Sequence, residues 1–125
     1  MKRDWDVIRQ VLSDIEALSP SEKDKTSLGV SRDDKDEAKQ IFMAHVFLLK
    51  DAGFIKGSNS STLSGKALLA PDLTWEGHEL LATIRSKPVW EKIKSTAQEK
   101  GLDLTFDTVI ALGKAAAAWI IGQAS

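Results

Sequence analysis

The hydrophobic period of this chain changes at residue 53, and that change constrains its fold more than any other feature. From Asp34 to Ala52 apolar residues recur at steps of three and four, the spacing of an amphipathic helix. Gly53 suits the position just past a helix end, where a left-handed backbone is needed. Phe54-Ile55-Lys56-Gly57 then reads as a strand, and Ser58-Asn59-Ser60-Ser61 as a turn. Residues 63–73 predict a returning strand with Ala67, Leu69 and Leu73 facing inward, and Pro71 confines that strand to an edge or interrupts it. Thr74 supplies a cap for a helix over about 75–86, with Leu80, Leu81 and Ile84 inward.

The flanking segments are mostly helical. Trp5, Ile8, Leu12 and Ile15 share one face of a helix over about 4–18, capped by Asp4 and stopped by Ser19-Pro20. Residues 19–33 are polar around an apolar island, Leu28-Gly29-Val30. They predict either a helical turn near 21–25 or a short strand near 27–31, for which the later hairpin offers a partner. Ser31 and Asp34 have the spacing of a capping box for the 34–52 helix. Pro88 opens a further helix carrying Trp90, Ile93 and Ala97, which ends at Gly101. Asp103 or Thr105 caps the last helix, about 106–121.

A long helix, a hairpin with a polar tip and a capped helix, in that order, is the plan of a winged-helix domain. We therefore expect one mainly α domain with a small β-hairpin: a winged-helix-like core over about 4–86 and a helical extension over about 88–121. Five segments also occur together in order: Met1-Lys2-Arg3-Asp4-Trp5-Asp6-Val7-Ile8-Arg9, His45-Val46-Phe47-Leu48-Leu49-Lys50-Asp51-Ala52-Gly53-Phe54-Ile55, Leu73-Thr74-Trp75-Glu76-Gly77-His78-Glu79-Leu80-Leu81, Val89-Trp90-Glu91-Lys92 and Leu104-Thr105-Phe106-Asp107. This set resembles the short bacterial and prophage proteins catalogued as domain of unknown function 2513. The resemblance implies a winged-helix-like fold and a phage or mobile-element setting, and it implies no activity.

Composition removes several chemistries. There is no cysteine, hence no disulfide framework, zinc-thiolate site or cysteine nucleophile. The two histidines, His45 and His78, stand far apart in sequence. His45 reads as a packed core histidine and His78 as a hydrogen-bond partner of the hairpin. Glu76 and Glu79 read as a solvated helix face, and Gly53, Gly57 and Gly65 lack a phosphate-cradle spacing. No enzyme, metal or cofactor is expected. The apolar run Val109–Ile121 contains Lys114 and falls short of the roughly 20 residues that span a bilayer. Together with the charged start of the chain, it predicts a cytoplasmic protein without membrane contact.

Two functional classes stay open. Lys39, Lys56, Asn59 and Lys66, with Arg32, Lys35 and Lys50, could line one edge beside a wing tip and hold DNA phosphates. Four carboxylates at the start of the 34–52 helix (Asp33, Asp34, Asp36 and Glu37) and a net charge of −1 oppose that reading. The favoured class is contact with proteins. On a helical wheel Ala38, Ile41, Phe42, His45, Leu48, Leu49 and Ala52 form the core face, and Met43 and Phe47 fall almost opposite. Either another element, most simply the C-terminal helix, covers these two, or they form an apolar partner site ringed by charge. The last helix is apolar nearly all round, which predicts a homodimer through Gly113, Ala117, Trp119, Ile120 and Ile121.

Overall fold

The computed structural model describes residues 2–124. The chain forms two compact units, Met1–His78 and Glu79–Ser125. In the first, α1 (Trp5–Glu16) is capped by Asp4, whose carboxylate accepts from the Asp6 and Val7 N–H groups. Both structures weighed for residues 19–33 are present: a short α2 (Pro20–Lys23), closed by a Ser19/Glu22 capping box, and a strand, β1 (Ser27–Ser31). The long helix α3 (Glu37–Asp51) starts later than its periodicity predicts. Asp36 caps it, through the Ala38 and Lys39 N–H groups. The Ser31/Asp34 box does not form, because Ser31 is the last residue of β1. Gly53 ends the helix at φ +89°.

The hairpin β2 (Ile55–Asn59) and β3 (Gly65–Leu73) joins β1 in an antiparallel sheet of order β1-β3-β2. The central position of β3 corrects the expectation set by Pro71. Lys56 pairs with Asp72 and Ser58 with Leu69, so β3 spends one extra residue between these pairs. Pro71 sits in that bulge and beyond the end of β1, where no ladder N–H is required of it. Ala70 takes up the kink at φ +52°. The bulge also re-phases the strand: Leu68, Pro71 and Leu73 are buried, whereas Leu69, expected inward, is 44% exposed and Ala67 only half-buried.

The core of this unit is Ile8, Val11, Leu12 and Ile15 of α1, Val46 and Leu49 of α3, and Phe54, Ile55, Leu68 and Leu73 around the sheet. Helix α3 packs on α1 and also on β1 and β2. A helix between two layers is apolar on two sides, which is why a single-stripe reading misassigns it. Met43, expected opposite the core, is 3% exposed, whereas Ile41, expected in the core, is 41% exposed. Phe47 is half-buried with the Lys66 ammonium 5.5 Å from its ring centre. Met43 and Phe47 therefore do not form the solvent-facing partner patch.

Helix α4 (Trp75–Arg85) begins at Thr74, whose hydroxyl donates to the Gly53 carbonyl and accepts from the Gly77 N–H. Gly77 lies directly on the Phe54 carbonyl, with no room for a Cβ. In the second unit Leu80, Leu81 and Ile84 are buried. Helix α5 (Lys87–Lys100) buries Trp90, Ile93 and Ala97 and ends at Gly101, φ +63°. Helix α6 (Phe106–Ala124) packs on α5. Its cap is Thr105, whose hydroxyl accepts from the Thr108 N–H at 3.1 Å. The whole is mostly helical with one small three-stranded antiparallel sheet.

Candidate functional site

The open edge of β1 and the side of α3 facing it enclose a shallow groove of about 410 Å³. The ladder decides which way the backbone of β1 points. The Thr26 carbonyl accepts from the Ala70 N–H at 3.0 Å, and the Arg32 N–H donates to the Ser64 carbonyl at 2.7 Å. Even-numbered residues therefore turn their peptide groups to β3, and Ser27, Gly29 and Ser31 turn theirs outward. The Ser31 carbonyl is taken by the Asp34 N–H and the Gln40 side chain. The outward N–H and C=O of Ser27 and Gly29 have no partner among the described residues. Leu28, Ala38, Phe42 and buried Met43 make the wall and floor, and Lys39 is the charged side chain on the lip.

The lysines among the nucleic-acid candidates line three separate depressions. Lys39 belongs to this groove and lies 3.7 Å from Asp34. Lys56 lines a polar depression with Lys23 and Asp72, and Lys66 lines a third with Arg32 and Gln40. The Asn59 side chain accepts from the Ser61 N–H and so shapes the turn. Burial of Asp72 opposes its ionisation. The Lys23 ammonium at 2.7 Å, the Leu73 N–H and the charge of Lys56 outweigh that and hold its carboxyl below the ordinary value. A single helix separates β1 from β2, so no helix pair of the helix-turn-helix kind stands there.

His45 is fully buried. Its Nε2 accepts from the Asp4 N–H at 2.9 Å, and its Nδ1 faces the Ile41 carbonyl at 2.8 Å and donates to it. The ring thus ties the start of α1 to the middle of α3 as a neutral imidazole, a structural role with both nitrogens satisfied. His78, Glu76 and Glu79 are exposed. Among the described residues no group of three or more His, Asp or Glu side chains is placed to hold a metal, and no helix is long and apolar enough to cross a membrane.

Helix α6 divides in two. Val109, Gly113 and Ala116 are buried. A Cβ on Gly113 would lie 2.5 Å from the Thr83 methyl carbon, so the close approach that glycine permits is used inside its own unit. Gly113 is thereby removed from the residues expected at a self-association surface. Ala117 and Ile120 are half-buried, while Trp119 is 50% and Ile121 70% exposed. The Lys92 ammonium stands 4.6 Å from the Trp119 ring centre. Sequence reasoning missed the β1 groove. Its signal was the Leu28-Gly29-Val30 island, but nothing local says that such a strand lies at an edge.

Residues 2–103 match a family model described as hypothetical protein (DUF2513). An uncharacterized protein of Haemophilus influenzae is 38% identical over 109 residues, covering 87% of this chain and 89% of that one. No solved structure matches.

Proposed function

The chain belongs to the DUF2513 family, and from that footing we propose that it is a non-enzymatic accessory protein of a phage or other mobile element, acting through protein–protein contacts. The observation that carries the reading is the end of α6. From Ala118 to Gly122 every residue is apolar or glycine, and within that stretch only Ile120 is even half-covered. A helix end that is apolar on all sides and open to water is what a second protein surface relieves. The most economical occupant is a second copy, giving a two-fold homodimer in which Trp119 of each copy faces the other, with Ile120 at the margin and Ile121, about 200° from Trp119 around the helix, on the opposite flank. Burying two large side chains contributes about 1.5–3 kcal/mol each.

Light scattering on the full chain at tens of micromolar tests this. The expected mass is twice that of the chain, falling to one chain in Trp119→Glu with the fold retained. A native monomer overturns the dimer. The alternative, a DNA-binding regulator, requires duplex retention that weakens steeply with salt. The dispersal of Lys39, Lys56 and Lys66 over three depressions argues against it.

A further inference from the structure

We propose that the groove between β1 and α3 is a binding site for an extended peptide of a partner protein, which would join the sheet as a fourth strand beside β1. This inference rests on the reading that the chain works through protein contacts, but it uses residues of the first unit alone.

The two edges of the sheet differ in a way that points to it. Natural sheets blunt their edges with charge, proline or bulges, because an open edge pairs with any passing strand. The β2 edge is treated so: it carries Lys56 and faces the bulge at Gly57. The β1 edge is not. Ser27-Leu28-Gly29-Val30-Ser31 holds no charge and no proline, and its five pairs with β3 run without a shift. Its outward peptide groups at Ser27 and Gly29 offer two donors and two acceptors at strand spacing, which only another extended backbone matches.

The groove beside that edge selects side chains. Leu28 pairs across the ladder with buried Leu68, so it faces the α3 side. A peptide strand added next to Leu28 would turn every second side chain onto the same face, over Ala38 and Phe42. An apolar side chain fits there. Lys39, with a side chain 64% exposed and Asp34 no nearer than 3.7 Å, offers its ammonium to a carboxylate on the peptide. The predicted ligand is a strand with an apolar anchor and an acidic residue near it. Backbone pairing supplies affinity and the pocket supplies choice, the division of labour in strand-addition recognition.

The test is to pan a random octapeptide library displayed on phage against the full chain, and to titrate the synthetic winners into the isotope-labelled protein. Winners should share the apolar-plus-acidic pattern and shift amide signals of residues 27–31 and 38–42. Methylating one β1-facing amide nitrogen of a winner should weaken binding about tenfold or more. Ser27→Pro, which removes an outward donor from an edge strand, and Ala38→Glu, which places a carboxylate in the groove at a helix start that tolerates it, should do the same. The N-methyl peptide reads the same contact with the protein unaltered. The proposal fails if panning enriches nothing over bare support, if the shifts map elsewhere, or if N-methylation and both variants leave affinity unchanged. A native monomer by light scattering would sink the α6 dimer and leave this result standing.

Discussion

Helices α3 and α6 carry the same excess in sequence, apolar residues on more than one face, and the fold treats them differently. Helix α3 lies between α1 and the sheet strands β1 and β2, so its second apolar face is filled: Met43 is 3% exposed. Helix α6 is filled along Val109, Gly113 and Ala116, and then runs past its cover to leave Trp119 and Ile121 in water. Surplus apolar surface therefore signals a second intramolecular layer in one helix and an open end in the other. The wheel alone does not tell these apart.

Substitutions that put charge or bulk on each helix sharpen the contrast. Met43→Asp should be the most damaging, costing about 4 kcal/mol or more, because it buries an unpaired carboxylate. Chemical denaturation followed by far-ultraviolet circular dichroism reads this, and a near-native midpoint would mean that Met43 is not a core residue. Gly113→Val should cost about 1–3 kcal/mol by pressing on Thr83, seen in the same measurement; an unchanged midpoint would free Gly113 for a subunit contact after all. Trp119→Glu should abolish self-association and leave the stability of the dilute, dissociated chain within about 0.5 kcal/mol, so a large loss there would place Trp119 in the core. Lys66→Ala, which removes the ammonium over Phe47, should cost about 0.5 kcal/mol, and a larger loss would show that Lys66 holds more than that ring.

Much of the local structure was legible because its causes are local. Asp4, Thr74 and Thr105 are caps whose oxygens reach N–H groups two or three residues away. Gly53 and Gly101 end helices through their own backbone angles. The Leu80, Leu81 and Ile84 face and the Trp90, Ile93 and Ala97 face follow from a single helical stripe. The change of period at residue 53 marks the hairpin by the same kind of short-range signal.

What the tertiary structure alone decided is which neighbour each apolar side chain meets. The inward set of β3 turns on a one-residue bulge that arises only when β2 pairs with it, and so Leu68, not Leu69, enters the core. The second face of α3 was unreadable because its cover comes from β1 and β2, on either side of it in sequence. Whether β1 is central or an edge depends on strand order, and the groove that follows exists only because nothing in the described chain bonds to the outward peptide groups of Ser27 and Gly29. Caps, turns and periods are written within a few residues, whereas burial, register and edges depend on residues far apart in the chain, such as Leu28 and Leu68.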